Sequence, residues 1–420
     1  MVIKICFFVL SNYFHTLILA EKSDKLKLMD KKKNSRIPGF FKLNKEQKLK
    51  KVKEFADLTD KEIEIIEKGT LKPEIRNRMA ENVIGVFSLP YSIAVNFLIN
   101  KKDYLVPMVT EEPSVVAAAC YGAKLLRENG GIEAENLGNQ MIGQIYLTEI
   151  ENIQKIKEKI LENKKEIIKI ANSKQPDLVR MGAGAKDLEI TVLNNKNIGA
   201  ILRIHLLVDT KDAMGANTVD TMLEGVSPLI EKIVNKKAVL KIVSNLADKR
   251  LVKVKGKVLK ESLTTKGFKG KQVVEDIIKA QAIAEIDIYR AVTNNKGILN
   301  GMGAVALAIS NDWRALEAGA HGYAAKSGKY LPLARWTKSS SGDLIGEMIV
   351  PIAVGITGGT ISANPVARVS LKILNVKSAQ ELACVMAGVG LAQNLAALRA
   401  LVSEGIQEGH MRLHNRIKEK

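Results

Sequence analysis

Four places in the chain set a group able to move a proton or hold a charge among small or apolar residues. Glu112 lies in "TEEPS", just after an apolar stretch. Lys296 and Asn300 lie in "NNKGILNG", and Asp312 follows in "SNDWR", beyond a run of apolar and small residues. His410 lies in "EGIQEGHM", near the C-terminal end. A carboxyl in a poorly hydrated place has a raised pKa and can act as an acid. A lysine there can stabilise an oxyanion, and burying one is costly unless it is paired or used. An imidazole can deliver a proton near neutral pH. Each residue also has a plainer reading. Glu112 can be a solvated turn carboxylate, Lys296 a helix-end lysine with its ammonium in water, Asp312 a helix N-cap, and His410 a surface or cap residue after glycine.

The chain that must position these groups has 420 residues, enough for two or three domains with a sizeable core. Apolar residues make up 46% and charged residues 26%, the balance of a soluble globular protein. The net charge of +19 suits an anionic partner such as nucleic acid, a membrane surface or a polyphosphate coenzyme. The excess is densest between Lys22 and Lys53, so a solvated basic surface explains it equally well. No aromatic stacking cluster or recognition helix supports nucleic-acid binding. Cys6, Cys120 and Cys384 are far apart with no CxxC pair, which argues against disulfides and structural zinc and for a reducing compartment, the cytoplasm. With no HExxH either, no metal is expected. The first twenty residues are apolar but broken by Lys4, Asn12 and His15, a poor membrane span, and Met29 opens a plausible start. Residues 1–35 are expected to be an extension outside the fold, with no membrane attachment.

The pattern predicts a helix over "LTDKEIEIIEKG", capped by Thr59 or Asp60 and stopped at Gly69. Residues 104–131 read as a strand, a turn through Pro113 and a small-residue helix ending at Gly130–Gly131. Residues 139–244 read as a compact α+β unit: a strand, a charged helix over 151–172, two alternating strands joined by "NNKN", a helix through "DAMGAN", and a last strand. Its place between Ala- and Gly-rich regions suggests an inserted domain. The long helix "AQELACVMAGVGLAQNLAALRALVSEG" is apolar nearly all round and should be buried in the larger domain or a subunit interface. No GxGxxG follows a strand to open a helix, so a Rossmann site is not supported. Walker, GxSxG and HExxH sequences are missing too.

Several long motifs in order carry a resemblance: "RIPGF" (36–40), "ENVIG" (81–85), "LVPMVTEEPSVVAAA" (105–119), "DAMGAN" (212–217), "YRAVTNNKGILNG" (289–301), "NDWRALEAGAH" (311–321), "LAQNLAALRAL" (391–401) and "EGIQEGHM" (404–411). The chain resembles the 3-hydroxy-3-methylglutaryl-CoA (HMG-CoA) reductases of the class II, bacterial and archaeal type. The resemblance implies a four-electron reduction of the HMG-CoA thioester to mevalonate and CoA, or its reverse, in the mevalonate route to isoprenoids. Two equivalents of NADPH or NADH serve as cofactor, and a homodimer shares its active sites between subunits. It implies an α+β fold: a large HMG-CoA-binding and dimerisation domain (36–138 and 245–405), an inserted small ferredoxin-like, non-Rossmann cofactor domain (139–244) and a C-terminal flap. Lys296 would meet the developing oxyanion, Asp312 would keep Lys296 charged, Glu112 would donate a proton, and His410 would protonate the departing thiolate. The run between Lys296 and Asp312 is then a spacer whose packing brings its two ends to one site. Asn300 would position the reacting oxygen, with Ser114, Arg290, Gln393 and Asn394 lining the substrate side. Gly182 and Gly184 would allow close backbone approach to the cofactor, and Asp212, Met214 and Asn217 would contact it. Gln175 stands where NADH-preferring members carry an acid; its neutrality leans towards NADPH, with Asp177 keeping NADH open. Ten residues follow His410, so the flap is expected to be truncated, with 406–420 its remnant. A catalytically impaired, CoA-binding relative is therefore the alternative.

Overall fold

Local signals start each element before packing joins them. The computed structural model describes residues 33–406 apart from Thr70 and Lys266. His410 and all of the expected 406–420 segment except Ile406 lie outside the described residues. Three short helices lead in: α1 (Lys45–Ala56), α2 (Asp60–Lys68) and α3 (Pro73–Met79). Thr59 and Glu62 close a capping box on α2, and Gly69 ends it in the left-handed region, as the pattern predicts. Strands β1 (Tyr91–Ile99) and β2 (Lys102–Val109) form a hairpin over Asn100 and Lys101, which have φ of 48° and 64°. Positive φ at both central residues matches the twist of paired strands. Helix α4 (Pro113–Arg127) and β3 (Ile132–Asn136) follow.

The middle of the chain builds a second sheet. In order come β4 (Gln140–Leu147), α5 (Ile153–Glu162), α6 (Lys164–Ser173), α7 (Pro176–Arg180), β5 (Gly184–Asn195), β6 (Gly199–Asp209), α8 (Ala216–Val234) and β7 (Leu240–Val243). The first sheet then resumes with β8 (Leu251–Val258), α9 (Gly270–Ile286), α10 (Ile288–Ala308), α11 (Trp313–Ala324), β9 (Ala334–Lys338) and β10 (Leu344–Pro351). Helices α12 (Gly359–Ala363), α13 (Pro365–Leu374) and α14 (Ala379–Leu401) complete it. The first sheet has the order β2-β1-β3-β8-β10-β9 and is antiparallel except where β1 meets β3. The second has the order β5-β6-β4-β7 and is antiparallel throughout.

Each sheet has its own core. On β4, Met141, Ile145 and Leu147 alternate towards the helices, where Ile167, Met222 and Ile230 cover them. The larger core joins Phe97, Leu126, Val254, Met302, Trp336 and Met386. Helix α14 is buried on every side from Leu382 to Ala396. It is long and apolar enough to cross a membrane, yet 89% of that stretch is buried inside the fold. This is the large-domain burial its composition implies.

Three expectations change. The charged helix over 151–172 is two helices, because Asn163 donates its side-chain amide to the Lys159 carbonyl and breaks the run. Only the last two residues of "DAMGAN" are helical, since Gly215 turns at φ 101° and α8 begins at Ala216. Ser35 belongs to the fold. It is fully buried, and its N–H donates to Asp103 Oδ1 (2.7 Å), which Arg127 also holds (2.7 Å).

Helices α4 and α14 meet where Gly122 faces backbone. A Cβ there would lie 1.9 Å from the Ala392 carbonyl oxygen. Gly122→Ala is therefore expected to destabilise the protein by about 1–3 kcal/mol, through overpacking against backbone that cannot yield. Denaturant unfolding would measure it, and a midpoint equal to wild type would refute this packing.

Candidate active site

The helical period decides which residues of "YRAVTNNKGILNG" share a face. Arg290, Thr293, Lys296, Gly297 and Asn300 fall along one side of α10 and line a single cleft. The N-terminal turn of α4 adds Glu112 and Ser114, and α14 adds Gln393 and Asn394. Seven expected residues (Glu112, Ser114, Arg290, Lys296, Asn300, Gln393 and Asn394) thus come together from three elements far apart in sequence. The cleft continues past Arg36, Lys45 and Lys48 near the start of the fold.

Glu112 takes a role not expected for it. It is the N-cap of α4, and its Oε1 accepts from the Ser114 N–H (3.3 Å) and hydroxyl (2.9 Å) while lining the cleft. Lys296 is exposed within the cleft rather than buried. Arg290 is half-buried, and that burial lowers its pKa. Among the described residues no carboxylate lies within ion-pair distance of Lys296 or Arg290. Two cations facing one cleft suit an anionic ligand.

Behind this face runs a chain of buried amides that the sequence did not reveal. Trp336 Nε1–H donates to Asn394 Oδ1 (2.7 Å), and Asn394 Nδ2–H donates to Asn294 Oδ1 (2.9 Å). An indole can only donate, so it sets the orientation of both amides. Asn394 therefore joins α14 to α10 with both ends of its amide engaged. Asn295, fully buried, donates to the Leu331 carbonyl (2.9 Å) and the Tyr330 hydroxyl (3.1 Å) and accepts from the Leu333 N–H (2.9 Å). These bonds fix the rotation of α10 about its axis, and hence where Lys296 points. The signal was available: two asparagines directly before Lys296 in an apolar helix need partners once buried.

The structure does not bring Asp312 to Lys296. The run between them is continuous helix to Ala308, not a spacer that folds back. From Lys296 to that end the helix rises about 18 Å. Asp312 instead caps α11, accepting from the N–H groups of Arg314 and Ala315 (both 3.1 Å), and pairs with the Arg314 guanidinium (3.1 Å).

The six residues expected at a cofactor lie on the second sheet's unit or at its junction, outside the cleft lining. Gln175 precedes α7, and Asp177 is paired with Arg180. Gly182 and Gly184 have φ of 78° and 94°, and a Cβ on Gly184 would strike Asn172 Oδ1 at 2.4 Å. Lys186 Nζ holds the carbonyls of Gly182 (2.8 Å) and Ala183 (3.1 Å). Asp212 Oδ1 accepts from the Ala379 N–H (2.8 Å) at the start of α14, so its carboxylate is engaged inside the fold. Met214 is partly buried and Asn217 is exposed on the first turn of α8.

Comparison with known proteins places this geometry. The family profile described as hydroxymethylglutaryl-coenzyme A reductase matches residues 44–415. The 3-hydroxy-3-methylglutaryl-coenzyme A reductase of Archaeoglobus fulgidus is 51% identical over 383 residues, spanning 91% of this chain and 86% of the relative. A probable reductase of the same name from Borreliella burgdorferi is 38% identical over 374 residues, 88% and 83% of the two chains. The solved class II reductase of Streptococcus pneumoniae, bound to NADPH in open conformations, superposes with a TM-score of 0.84 at 40% identity, covering 87% of this chain and 99% of that one.

The amide chain makes a testable demand. Asn394→Leu keeps the volume but leaves Trp336 Nε1–H and Asn294 Oδ1 without partners, at about 1–3 kcal/mol for each buried group. Chemical denaturation should show that loss, and Trp336→Phe in the same background should cost less than it does in wild type. Equal costs in the two backgrounds would show that the two side chains are not coupled.

Proposed function

The chain belongs to the hydroxymethylglutaryl-coenzyme A reductase family, and from that premise we propose how its residues divide the work. The reaction is the NAD(P)H-dependent reduction of the HMG-CoA thioester to mevalonate and CoA. The observation that carries the assignment is the single cleft lined by Glu112, Arg290, Lys296 and Asn300. Arg290, half-buried and without an ion pair among the described residues, takes the carboxylate of the HMG group, helped by the Ser114 hydroxyl. Lys296 sets its ammonium against the thioester oxygen, where negative charge develops. A preorganised donor of this kind contributes about 3 kcal/mol to the barrier. Asn300, one turn further along the same face, orients that oxygen. Glu112 supplies the proton, and His410 protonates the departing CoA thiolate. The reach lined by Arg36, Lys45 and Lys48 suits the phosphates of CoA.

Residues 139–244 form the cofactor domain, set into a large domain made of 36–138 and 245–405. Strand–helix–strand–strand–helix–strand connectivity, with its first strand third in the order β5-β6-β4-β7, supports a ferredoxin-like fold for it. Two NAD(P)H molecules bound there in succession would supply one hydride each. The fit of this chain to such a cofactor rests on its backbone: Gly182 is exposed with open space where a Cβ would be, Gly184 packs beneath it against Asn172, and Lys186 holds the carbonyls of Gly182 and Ala183. Gln175 lacks the charge that would repel a 2′-phosphate, and the charge of Asp177 is offset by Arg180, which favours NADPH. The three cysteines and reductive chemistry suit the cytoplasm.

The site is completed by a second copy of the chain. Helix α10 separates Lys296 from Asp312, and the cofactor residues do not line the cleft. Large apolar side chains remain exposed beside it: Ile286 (78%) and Tyr289 (83%) at the α9–α10 junction, and Ile84 and Phe87 (88%) in the extended segment before β1. Such a patch marks an interface. In a twofold dimer, Asp312 of one copy meets Lys296 of the other and holds it charged. Neither the fold nor the relatives offer an observation favouring an impaired, CoA-binding protein.

Purified protein given HMG-CoA should oxidise two NAD(P)H per thiol released, with NADPH used at the lower KM; CoA binding without either signal would refute the reductase. Lys296→Ala and Asp312→Ala should each lose turnover while remaining folded. Co-expressed, they should regain about a quarter of wild-type activity, because half the dimers then hold one intact site. No recovery would mean that both groups act within one chain.

A further inference from the structure

One buried cation is unaccounted for by the chemistry. Arg250, just before β8, is 2% exposed, and among the described residues no carboxylate lies within ion-pair distance of it. Its donors go to uncharged oxygens on two separate stretches of chain. Nη1 reaches the carbonyls of Met214 (3.0 Å) and Ala213 (3.3 Å) and the Thr210 hydroxyl (3.3 Å), and Nη2 reaches the Val354 carbonyl (2.7 Å). Burial pushes the guanidinium down to about 10, with Asp209 and Asp212 opposing the shift from a distance, so it stays charged near neutrality. A buried charge with no ion-pair partner is costly to desolvate, and here only hydrogen bonds to uncharged oxygens offset that cost. Its presence calls for a role beyond stability.

The loop it holds is pinned from other sides as well. Thr210 Oγ1–H donates to the Ala213 carbonyl (3.0 Å), and the Asp212 carbonyl accepts from the N–H groups of Ile356 (2.8 Å) and Thr357 (3.2 Å). Gly355 presses against the loop so closely that a Cβ would lie 2.6 Å from the Met214 nitrogen. Asn311 in turn grips Gly355 through both its carbonyl (3.0 Å) and its N–H (2.8 Å). The loop before α8 is thus tied to α14 through Asp212, and through Gly355 to the turn after α10. Arg250 is the only side chain described here that bonds to the carbonyls of both Met214 and Val354, so it clamps the loop to the segment behind it.

We propose that Arg250 is the positioning residue of the nicotinamide-cofactor site: it fixes the carbonyls of Ala213 and Met214 inward, so that Met214 and Asn217 meet the cofactor in one conformation. Its charge lies beneath the N-terminal end of α8, where positive potential favours an anionic cofactor. A lysine cannot replace it, since a single ammonium lacks the planar fork that spans acceptors on both stretches. The proposal rests on the reading that residues 212–217 contact the cofactor.

The test is direct binding, with NADPH and NADH each titrated by their fluorescence and HMG-CoA titrated by calorimetry. Arg250→Lys should raise both cofactor dissociation constants on the order of tenfold or more, with the HMG-CoA constant within about twofold. In turnover, the cofactor KM should rise more than kcat falls. Unchanged cofactor binding would overturn the proposal, and so would equal weakening of cofactor and HMG-CoA, which would mark a purely structural role. Thr210→Val, which removes one acceptor and leaves the cation, gives the same test if Arg250→Lys does not fold. It should weaken cofactor binding less but selectively, and no change would count against the clamp. Asn217→Ala separates the two layers. If it weakens cofactor binding while Arg250→Lys does not, the clamp is wrong and the cofactor site stands. If neither variant changes binding, the cofactor is not at this loop.

Discussion

A continuous α-helix cannot bring together residues several turns apart on its own axis, and α10 imposes that limit at the centre of this protein. Its one face carries Arg290, Lys296 and Asn300 into the cleft, while its far end delivers Asn311 and Asp312 to a different place. Everything around it accommodates that geometry. Helix α14 packs beside it as a rod buried on all sides, and α4 closes on α14 through the gap that Gly122 leaves open. On the proposed reading, chemistry that uses both ends of α10 draws on a second copy of the chain.

Packing alone would leave the rotation of these apolar rods poorly specified, because Ala, Gly, Leu and Val surfaces fit in several ways. Buried polar groups remove that freedom. Asn295 locks α10 to the strand-entry loop at Leu331–Leu333, Asn394 locks α14 to α10 under the direction of a donor-only indole, and Arg250 and Asn311 lock the loop before α8. Each would be expensive to leave unsatisfied. The interior polar residues therefore act as orientation keys, and the groups that face the cleft inherit their precision from them.

Local signals were legible where one stretch of chain settles its own conformation. The Thr59–Glu62 box and the Gly69 stop, the "NNKN" turn between β5 and β6, and the alternation of β4 all appear where the pattern puts them. Signals failed where a side chain competes with its own backbone, as Asn163 does in dividing the helix over 151–172. They failed again where a motif spans a turn and a helix, as "DAMGAN" does around Gly215. The residues of the cleft were legible because their types and order match a family. The residues supporting them were not, since Trp336, Asn295, Asn294 and Arg250 look like ordinary core or surface choices until their partners are known.

The sequence by itself determined the family, the reaction and the identity of the groups facing the cleft. Those depend on side-chain chemistry, which is written residue by residue. It also determined that α14 would be buried, because no polar face was left to meet water. Only the tertiary structure decided which of these groups meet. Proximity across α4, α10 and α14 comes from packing between elements far apart in the chain. The separation of Lys296 from Asp312 comes from the rise of one helix, about 1.5 Å for every residue between them.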